Sequence, residues 1–590
     1  KLNEKGVDKA TLLEEGDSES SLKTLIKNGV FESFKHVVNR IEEEEAEREA
    51  SQLSSTQQVA FDEIKTHFES KQSVLLHGVT GSGKTEIYIK LIQEVLESGS
   101  QVLMLLPEIA LTTQIVGRLK QVFGSQMGVY HSKYSDNERV EVWNGVLSGR
   151  FPFVVGVRSS IFLPFDSLGL VIVDEEHEPS YKQFDPAPRF HARDAAIMLA
   201  YFHQAKTLLG SATPSFESYF NASQGKYGYV QLSHRFGDAS LPEFSLSNIS
   251  ADRKKNLLKL DSTRLLREKI QHALDQQQQV IIFQNRRGYS PYVQCEDCGW
   301  TGQCVQCDVS LTYHQFAEEL RCHYCGYKEK IPSSCPACGS TQLSTQGMGT
   351  ERIEESLSLL FPEARMGRMD LDTTRSKYGY QRLLDEFAAG QIDILVGTQM
   401  ITKGLDFGKV TVVGIWDGDR ILNFPDFRAG ERAYQQITQV AGRAGRRDIQ
   451  GQVVIQSRNP DQELFQKVIQ GDYFEFFRQE MIDRKKYYYP PFVKLVKITT
   501  RHADAKTAEK AAHALHYQMA NVAVKKIVLG PEKGIIARIK NQYQYESLIK
   551  LDRQGATQSV FKENLARIIE ELQSVPEFRS VRWVVDVDPS

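Results

Sequence analysis

One glycine-rich segment constrains the fold of this chain more than any other part of its sequence. Residues 78–85 have the sequence GVTGSGKT, which fits the phosphate-loop pattern GxxxxGK[ST]. The apolar run SVLLH precedes this segment, and the helical pattern EIYIKLIQEVL follows it. A buried strand, a phosphate loop and a helix in this order are typical of a domain with a parallel sheet. The segment therefore predicts a nucleotide-binding α/β fold.

The residue types in this loop suit the binding of ATP together with Mg²⁺. Glycines allow backbone N–H groups to close around phosphate oxygens at the start of a helix. Lys84 can neutralise the β and γ phosphates, and Thr85 can ligate the magnesium ion. The predicted nucleotide-binding residues of the loop are Gly78, Val79, Thr80, Gly81, Ser82, Gly83, Lys84 and Thr85. A chance glycine-rich turn is the alternative, and the strand and helix on either side argue against it.

A second apolar run, LVIV, ends in the acidic sequence Asp174-Glu175-Glu176-His177. Carboxylates at the carboxyl end of such a strand lie where open α/β sheets bind their ligands. We expect Asp174 to hold the magnesium ion and Glu175 to position or deprotonate the attacking water. The acidic cluster takes this meaning from the phosphate loop that accompanies it.

Short apolar runs alternate with longer helical segments over two stretches of the chain, which predicts two parallel-sheet lobes. The first lobe is expected at residues 52–236, and the second at residues 237–290 and 346–460. A zinc-binding module at 291–345 interrupts the second lobe. We also expect a winged-helix-like module at 1–41, an acidic linker at 42–51 and a C-terminal α+β domain at 461–590. The predicted fold class is thus α/β, with two RecA-like lobes and these additional segments.

Composition serves mainly to exclude classes of protein. The chain has 590 residues, of which 41% are hydrophobic and 25% charged, as in ordinary multidomain globular proteins. No apolar run approaches the ~20 residues that cross a bilayer, and the first residues contain no secretory signal. We therefore expect a cytoplasmic protein without a membrane partner. The net charge of −3 carries no argument for or against binding to nucleic acid.

All 8 cysteines lie in four CxxC pairs between Cys295 and Cys338, which predicts two four-thiolate zinc sites. Disulfide and redox roles fit this spacing less well. The segment between the second and third pairs is long enough for a hairpin, which favours a nested arrangement over the other two pairings. The nested sets are Cys295, Cys298, Cys335 and Cys338 for one ion, and Cys304, Cys307, Cys322 and Cys325 for the other. His314 and His323 are alternative ligands that complete thiolate sets leave unneeded.

The motifs across residues 52–457 resemble those of superfamily-2 helicases of the DExH type. This resemblance implies that Gln57 contacts adenine, and that Gly404 and Asp406 in GTQMITKGLDF belong to the nucleotide site. It also implies that Arg443 and Arg446 in QVAGRAGR act as arginine fingers that stabilise charge on the transferred phosphoryl group. ATP bound between the lobes would close the cleft, and its hydrolysis would reopen it and move a gripped strand.

The same resemblance implies positions that grip DNA or couple its movement to hydrolysis. Thr112 and Gln114 in LPEIALTTQ are expected to contact the strand, and Arg158 is a further candidate. Ser211 and Thr213 in GSAT are expected to couple hydrolysis to motion.

A loop from Pro179 to Arg193 mixes aromatic and basic residues directly after the acidic motif. Its members are Tyr181, Phe184 and Phe190 together with Lys182, Arg189 and Arg193. Aromatic rings can stack on bases while cations hold phosphates. We predict that this loop senses single-stranded DNA and reports its presence to the catalytic site. The alternative is that the rings only pin the loop to its lobe.

A double zinc insertion after Asn285-Arg-Arg-Gly-Tyr289, together with GVTGSGKTE, DEEH and LPEIALTTQ, resembles the PriA family of primosomal replication-restart helicases. The resemblance implies a 3′ to 5′ DNA helicase that recognises stalled forks and initiates primosome assembly. It implies single-stranded and forked DNA as substrates, with single-stranded DNA-binding protein and the loaders of the replicative helicase as partners. It also implies the nested zinc arrangement. The family normally begins with a domain that captures a nascent 3′ end. Because the phosphate loop comes early and the chain starts with Lys1, we expect a truncated chain that lacks this domain.

Two other functions stay open at this point. The helicase motifs do not exclude an RNA-directed motor, which a comparison of ATPase stimulation by DNA and RNA would distinguish. A zinc-binding replication scaffold with a vestigial ATPase is the second alternative, and the intact Lys84, Glu175 and Arg446 argue against it.

Overall fold

The computed structural model describes residues 18–33, 46, 48, 51–107, 114–131, 134–235, 242–285, 292–314, 318–346, 350–370, 379–402, 407–445 and 450–589. The chain divides into two compact units, Lys1–Glu43 and Glu44–Ser590. In the first unit, helix α1 (Glu19–Lys27) begins after Ser18, whose side chain accepts a hydrogen bond from the Ser21 N–H. Most of the predicted winged-helix module and acidic linker lies outside the described residues, so both stay predictions.

A seven-stranded parallel sheet forms the first lobe and confirms its predicted fold class. The strands are β1 (Ser73–Gly78), β2 (Gln101–Leu105), β3 (Met127–Tyr130), β4 (Phe153–Gly156), β5 (Leu168–Asp174), β6 (Lys206–Ser211) and β7 (Gly228–Leu232). The helices are α2 (Ser55–Ser70), α3 (Lys84–Glu97), α4 (Gln114–Phe123), α5 (Asp136–Leu147), α6 (Ala192–Phe202) and α7 (Phe216–Ser223). The strand order is β3-β4-β2-β5-β6-β1-β7, so the ends of β5, β6 and β1 are neighbours. The acidic motif, the GSAT segment and the phosphate loop therefore share one edge of the sheet.

The second lobe begins with β8 (Glu243–Asn248), α8 (Ile249–Lys254), α9 (Arg264–Asp275) and β9 (Gln279–Phe283). The chain then enters the cysteine-rich module. Its strands are β10 (Tyr292–Cys295), β11 (Thr312–His314), β12 (Glu319–Arg321), β13 (Lys328–Lys330) and β14 (Leu343–Gln346). Strand β10 pairs antiparallel with β14, and β11, β12 and β13 form an antiparallel sheet. The antiparallel pairing of β11 with β12 confirms the hairpin expected between the second and third cysteine pairs.

After this module the chain returns to the second lobe. The returning elements are α10 (Thr350–Leu360), β15 (Met366–Met369), α11 (Gly379–Ala388), β16 (Ile394–Gly397), β17 (Val410–Ile415), α12 (Gly418–Leu422), α13 (Ala429–Ala441) and β18 (Gln452–Ser457). The six strands form a parallel sheet in the order β15-β16-β9-β17-β18-β8. This sheet confirms the second predicted lobe and the insertion of the cysteine-rich module within it.

Two helices that follow the second lobe, α14 (Glu463–Gln470) and α15 (Tyr473–Lys486), correct the predicted boundary at residue 461. Their apolar side chains, Phe465 and Phe476 among them, lie in the core cluster that includes Ile455 of β18 and Ile437 of α13. An amphipathic pattern identifies a helix but does not say which core covers its apolar face. The two helices therefore complete the second lobe.

The final domain is α+β, as predicted. Its elements are β19 (Val493–His502), α16 (Ala505–Ala520), β20 (Lys526–Ile539), β21 (Gln542–Asp552), α17 (Gly555–Ser574) and β22 (Arg582–Val587). The strands form an antiparallel sheet in the order β20-β21-β19-β22, and α16 and α17 cover it with residues such as Leu515 and Phe561. Within the described ranges, every helix is too short or too polar to cross a membrane.

A buried arginine joins the two lobes to α15. The Arg484 side chain is 2% exposed and forms ion pairs with Glu431 of α13 and with Glu217 of α7, the latter at 3.4 Å. Glu431 also accepts a hydrogen bond of 2.8 Å from the Phe216 N–H of the first lobe. Burial acts to raise the pKa of Glu217, but Arg428 and Arg484 outweigh it and lower the pKa to about 2. One guanidinium thus forms ion pairs with carboxylates from both lobes.

Replacing Arg484 by Met should lower the free energy of unfolding by about 3 to 5 kcal/mol, because it leaves the buried carboxylate of Glu431 without its cation, whereas Glu217 keeps Arg428 at 3.2 Å. Arg478→Met on the same helix is the matched control. The Arg478 side chain is 74% exposed and pairs with Glu475, so its loss should cost less than about 1 kcal/mol. Urea denaturation followed by circular dichroism measures both variants. Equal losses in the two variants would contradict the central place of Arg484.

Candidate ATP-binding and metal sites

The phosphate loop joins the end of β1 to the start of α3. Gly81 and Gly83 have φ angles of +81° and +82°, a left-handed conformation that glycine adopts at little cost. The Lys84 ammonium donates a hydrogen bond of 2.7 Å to the carbonyl oxygen of Gly78, at the opposite end of the loop. The cation that phosphate binding requires is therefore held within the loop.

Gln57, predicted to contact adenine, lies against the phosphate loop and is 1% exposed. Its amide nitrogen donates to the carbonyl oxygen of Ser82 at 3.2 Å, and its amide oxygen accepts from the Ser54 N–H at 2.9 Å. A Cβ atom on Gly83 would lie 2.1 Å from the Gln57 amide nitrogen, so any larger residue there would displace the Gln57 side chain. In this structure Gln57 supports the loop backbone, and its contact with adenine stays a prediction.

Asp174 ends β5 beside the phosphate loop, as its predicted role requires. Its Oδ1 accepts a hydrogen bond of 2.9 Å from the hydroxyl of Tyr88. Burial and the neighbouring Glu175 raise the pKa of Asp174 to about 6, while Lys84 and Tyr88 act in the opposite direction. Tyr88 was not among the residues predicted from the sequence. Its position one helical turn after Lys84, on the same face of α3, is the signal that could have identified it.

Gln439 of the second lobe contacts the acidic motif of the first. The amide nitrogen of Gln439 on α13 lies 2.8 Å from Nε2 of His177 and 3.3 Å from Oε2 of Glu175. Since the amide N–H can only donate, His177 accepts at Nε2 and donates from Nδ1 to the Ser211 hydroxyl, 2.8 Å away. His177 thus connects Gln439 to the GSAT segment. Gln439 is the first residue of the QVAGRAGR motif, whose pattern does not indicate this contact.

The GSAT segment also contacts both lobes. Ser211 Oγ accepts a hydrogen bond of 2.9 Å from the Thr213 N–H, and the Gln435 amide lies 3.4 Å from the Thr213 carbonyl oxygen. These contacts place Ser211 and Thr213 where a coupling role requires them, and the coupling itself stays a prediction.

The arginine-finger motif begins next to the phosphate loop. A Cβ atom on Gly442 would lie 2.9 Å from Thr80, and Arg235 donates to the carbonyl oxygen of Gly445 at 3.4 Å. Arg443 is half-buried in the same turn. Its role as an arginine finger stays a prediction. Thr112, Gly404, Asp406 and Arg446 lie outside the described residues, and Gln114 is the first residue of α4.

The loop from Pro179 to Arg193 differs from its prediction at two residues. Tyr181 is 1% exposed, and its hydroxyl lies 2.6 Å from the carbonyl oxygen of Asp174. Lys182 is also 1% exposed, and its ammonium donates to the carbonyl oxygens of Arg189 and of Val587 in β22. Their burial removes the ring of Tyr181 and the charge of Lys182 from any contact with DNA in this conformation. Tyr181 instead links the loop to the backbone of Asp174.

Two other aromatic residues of the loop, Phe184 and Phe190, are more accessible to solvent than Tyr181. Phe184 is 53% exposed. Phe190 packs edge to face against Phe162, which follows β4 and is 58% exposed, with ring centroids 5.2 Å apart. Arg158 donates to the carbonyl oxygens of Ser180 and Lys182 and so supports the loop. Phe162 escaped the sequence analysis because it lies outside the loop in sequence.

Basic residues of the loop are held by neighbouring groups. Arg189 donates from Nε to the carbonyl oxygen of Phe184. Arg193 donates to the buried carboxylate of Glu176 at 2.9 Å, and Glu176 also accepts from the Ser215 N–H at 2.6 Å. The end of the loop is therefore tied to the acidic motif and to the start of α7.

The eight cysteine thiols form the two nested sets predicted from the sequence, Cys295 with Cys298, Cys335 and Cys338, and Cys304 with Cys307, Cys322 and Cys325. We call these the outer and inner sets. The sulfur pairs Cys295–Cys338, Cys298–Cys335 and Cys304–Cys325 are each 3.6 Å apart, and all eight cysteines are free of disulfides. A tetrahedral site with Zn–S distances of about 2.3 Å has sulfur atoms about 3.8 Å apart. Both sets therefore fit a zinc ion. His314 and His323 belong to neither set, and their Nε2 atoms lie 3.1 Å from each other.

The two sets are anchored to different parts of the protein. Next to the outer set, Glu296 pairs with Arg458 of the second lobe at 3.3 Å. The inner cysteines Cys304, Cys307 and Cys322 lie instead in an apolar cluster with residues of β19 and β21. The outer set thus docks on the second lobe, and the inner set packs against the C-terminal domain and against Phe427 of the second lobe.

Comparison with known proteins identifies four regions of the chain. Family models match as "DEAD/DEAH box helicase" at residues 54–221, "Helicase conserved C-terminal domain" at 348–448, "PriA DNA helicase Cys-rich region (CRR) domain" at 304–330 and "Primosomal protein N C-terminal domain" at 485–590. The chain is 41% identical over 578 residues to the replication restart protein PriA of Bacillus subtilis, covering 97% of this chain and 71% of that protein. It is 40% identical over 539 residues to PriA of Haemophilus influenzae, covering 91% and 72%. A solved structure of RecG bound to a three-way DNA junction aligns with 79% of this chain and 49% of its own, with 18% identity and a TM-score of 0.45.

Replacing Gln439 by Ala should reduce kcat for ATP hydrolysis by up to about 100-fold, because Glu175 and His177 lose their shared partner from the second lobe. The KM for ATP should change little, since Gln439 is not a residue of the phosphate loop. Thr438→Ala, one position earlier on α13, is the matched control and should retain the parent rate. Steady-state ATPase assays measure both parameters. A rise in KM with unchanged kcat would contradict the role assigned to Gln439.

Proposed function

The chain belongs to the PriA family of replication restart proteins, and we propose that it acts as an ATP-dependent DNA helicase that moves 3′ to 5′ along a strand. In this proposal it recognises and remodels stalled replication forks in the cytoplasm, at the nucleoid, and initiates primosome assembly. Its partners are single-stranded and forked DNA, single-stranded DNA-binding protein and the components that load the replicative helicase. Family membership supports these assignments.

The enzymatic part of the proposal rests on one observation. Gln439 contacts Glu175 and His177 across the cleft between the lobes. Glu175 is the carboxylate expected to position or deprotonate the attacking water. A partner from the opposite lobe holds this carboxylate only when the cleft is closed. Hydrolysis and cleft closure are therefore linked through one hydrogen-bonded group.

In this proposal each surrounding residue has its own role in hydrolysis. Lys84 neutralises phosphate charge, and Asp174 and Thr85 hold Mg²⁺, which supplies Lewis-acid stabilisation of the phosphate oxygens when it is bound. His177 links Gln439 to Ser211, so a change at the acidic motif also reaches the GSAT segment. We propose that opening of the cleft breaks the Gln439 contacts and that this change moves the gripped strand.

We further propose that each cysteine set binds one structural zinc ion. Four thiolates complete a closed tetrahedral site, which leaves no position for a water or a substrate. In this proposal the zinc ions stabilise the module and take no part in ATP hydrolysis.

Lys84→Ala and Glu175→Gln should each lower the rate of DNA-stimulated ATP hydrolysis by on the order of 10²-fold to 10³-fold, because each removes a group that acts on phosphate or water. Both variants should retain the parent's circular dichroism spectrum and its affinity for single-stranded DNA. Near-parental turnover in either variant would contradict the assignment of the site.

The parent protein itself distinguishes the remaining functions. Its ATPase activity should be stimulated by single-stranded and forked DNA more than by RNA of matched length and sequence. Stronger stimulation by RNA would favour the RNA-directed motor, and no hydrolysis on any nucleic acid would favour the scaffold.

The Phe184→Ala, Phe190→Ala double variant should lose most of the DNA stimulation of hydrolysis while keeping its basal rate. Base stacking contributes about 1 to 3 kcal/mol per base, which is enough to favour one loop conformation over another. Phe202→Ala is the control, since Phe202 is 73% exposed on α6 of the same lobe but lies outside the loop. Stimulation equal to that of the parent would mean that the two rings only pin the loop in place.

A further inference from the structure

A lysine of the C-terminal domain is buried against the inner cysteine set. Lys550 of β21 is 5% exposed, and its ammonium donates to the carbonyl oxygen of Tyr487 at 2.6 Å. The ammonium also lies 3.8 Å from the ring centroid of Tyr489. The Tyr489 hydroxyl donates to the carbonyl oxygen of Cys307 at 2.7 Å. Lys550 and an inner cysteine therefore share Tyr489 as a neighbour.

This burial leaves the charge of Lys550 with few partners. Transfer of an ammonium group out of water costs several kcal/mol unless other charges or dipoles compensate for it. Over the described parts of the chain, no carboxylate forms an ion pair with Lys550. One carbonyl oxygen and one ring face recover only part of the cost.

The inner set supplies the missing negative charge. Burial lowers the pKa of Lys550 to about 8, and negative charge on the four inner cysteines acts in the opposite direction. A zinc ion with four thiolates has a net charge of −2, because each deprotonated cysteine contributes −1. Such a centre is itself stabilised by a nearby cation, since the surrounding cluster is apolar.

We propose that Lys550 is the charge partner of the zinc centre formed by the inner cysteine set, and that this pairing makes the centre and the docked C-terminal domain stabilise each other. The proposal rests on the assignment of zinc to both sets under the proposed function. The outer set has a different arrangement, since Glu296 beside it pairs with Arg458 of the second lobe. Loss of the inner ion should therefore weaken the docking of the C-terminal domain, whereas loss of the outer ion should not.

The first test is the rate at which zinc leaves the intact protein in excess EDTA, followed with a chromogenic zinc indicator. The parent should contain two zinc ions per chain. In Lys550→Met, the inner ion should leave about 10-fold to 100-fold faster, the range typical for the loss of an outer-shell partner. The outer ion should leave at the parent rate. A Cys298→Ser background, which lacks an outer ligand, identifies the inner ion.

Matched variants separate the charge of Lys550 from its packing. Lys550→Arg keeps a cation and should restore much of the slow release. Lys497→Met changes a lysine of the adjacent strand β19, which is 36% exposed and pairs with Glu546 at 3.7 Å, and should have no effect on either ion. Unchanged inner release in Lys550→Met would overturn the proposal, as would equal acceleration of both ions. Fewer than two zinc ions in the parent would refute the zinc assignment itself.

A second measurement remains informative even if Lys550→Met fails to fold. Hydrogen exchange in the intact chain can compare Cys304→Ser, which disrupts the inner set, with Cys298→Ser, which disrupts the outer set. Loss of the inner ligand should increase exchange in β19 and β21, while loss of the outer ligand should leave these strands protected. Equal exchange of the two strands in both variants would contradict a selective link between the inner centre and the C-terminal domain.

Discussion

The ion pairs of Arg484 are the contact on which the relation between the two lobes depends. A fully buried guanidinium is tolerated only when carboxylates surround it, and here they come from α7 of the first lobe and α13 of the second. Glu431, one of these carboxylates, also receives the backbone N–H of Phe216, the first residue of α7. Sliding one lobe past the other would expose these charges to water or separate them from their partners. The network therefore favours a discrete closed arrangement over a continuum of positions.

The same network extends to the acidic motif through short contacts. The start of α7 is held by Ser215, whose N–H and hydroxyl both bind the buried carboxylate of Glu176. Glu176 in turn binds Arg193 at the end of the aromatic loop. This series of contacts thus runs from Arg484 through α7 to Glu176, the residue next to Glu175. A movement between the lobes and a movement of the loop would both displace the carboxylate of Glu176, so we expect the two movements to be coupled.

Local motifs explain which parts of this arrangement could be predicted from the sequence. The phosphate loop, the acidic strand end and the nested cysteines each depend on residues close together in sequence, and the structure confirms their placement. Burial of Lys182 depends instead on Val587, which lies 405 residues further along the chain. The assignment of α14 and α15 to the second lobe likewise depends on a core that their own pattern does not identify. The residue types of the aromatic loop indicated contact with DNA, but they did not show that Tyr181 and Lys182 are buried.

A stacked aromatic pair connects the lobes to the cysteine module. Phe427 and Tyr489 lie parallel, with centroids 4.3 Å apart and an interplanar angle of 3°. The guanidinium of Arg484 lies 5.3 Å from the Phe427 centroid, and the Lys550 ammonium lies over Tyr489. Arg484 and Lys550, two buried cations, thus lie against the two rings of the stacked pair, and Arg428 also lies over Phe427 at 4.3 Å. The hydroxyl of Tyr489 reaches the backbone of the inner cysteine set. Since both rings and both cations are buried together, the interface between the lobes and the inner metal site share one continuous packed unit, and a rearrangement of either must be accommodated by the other.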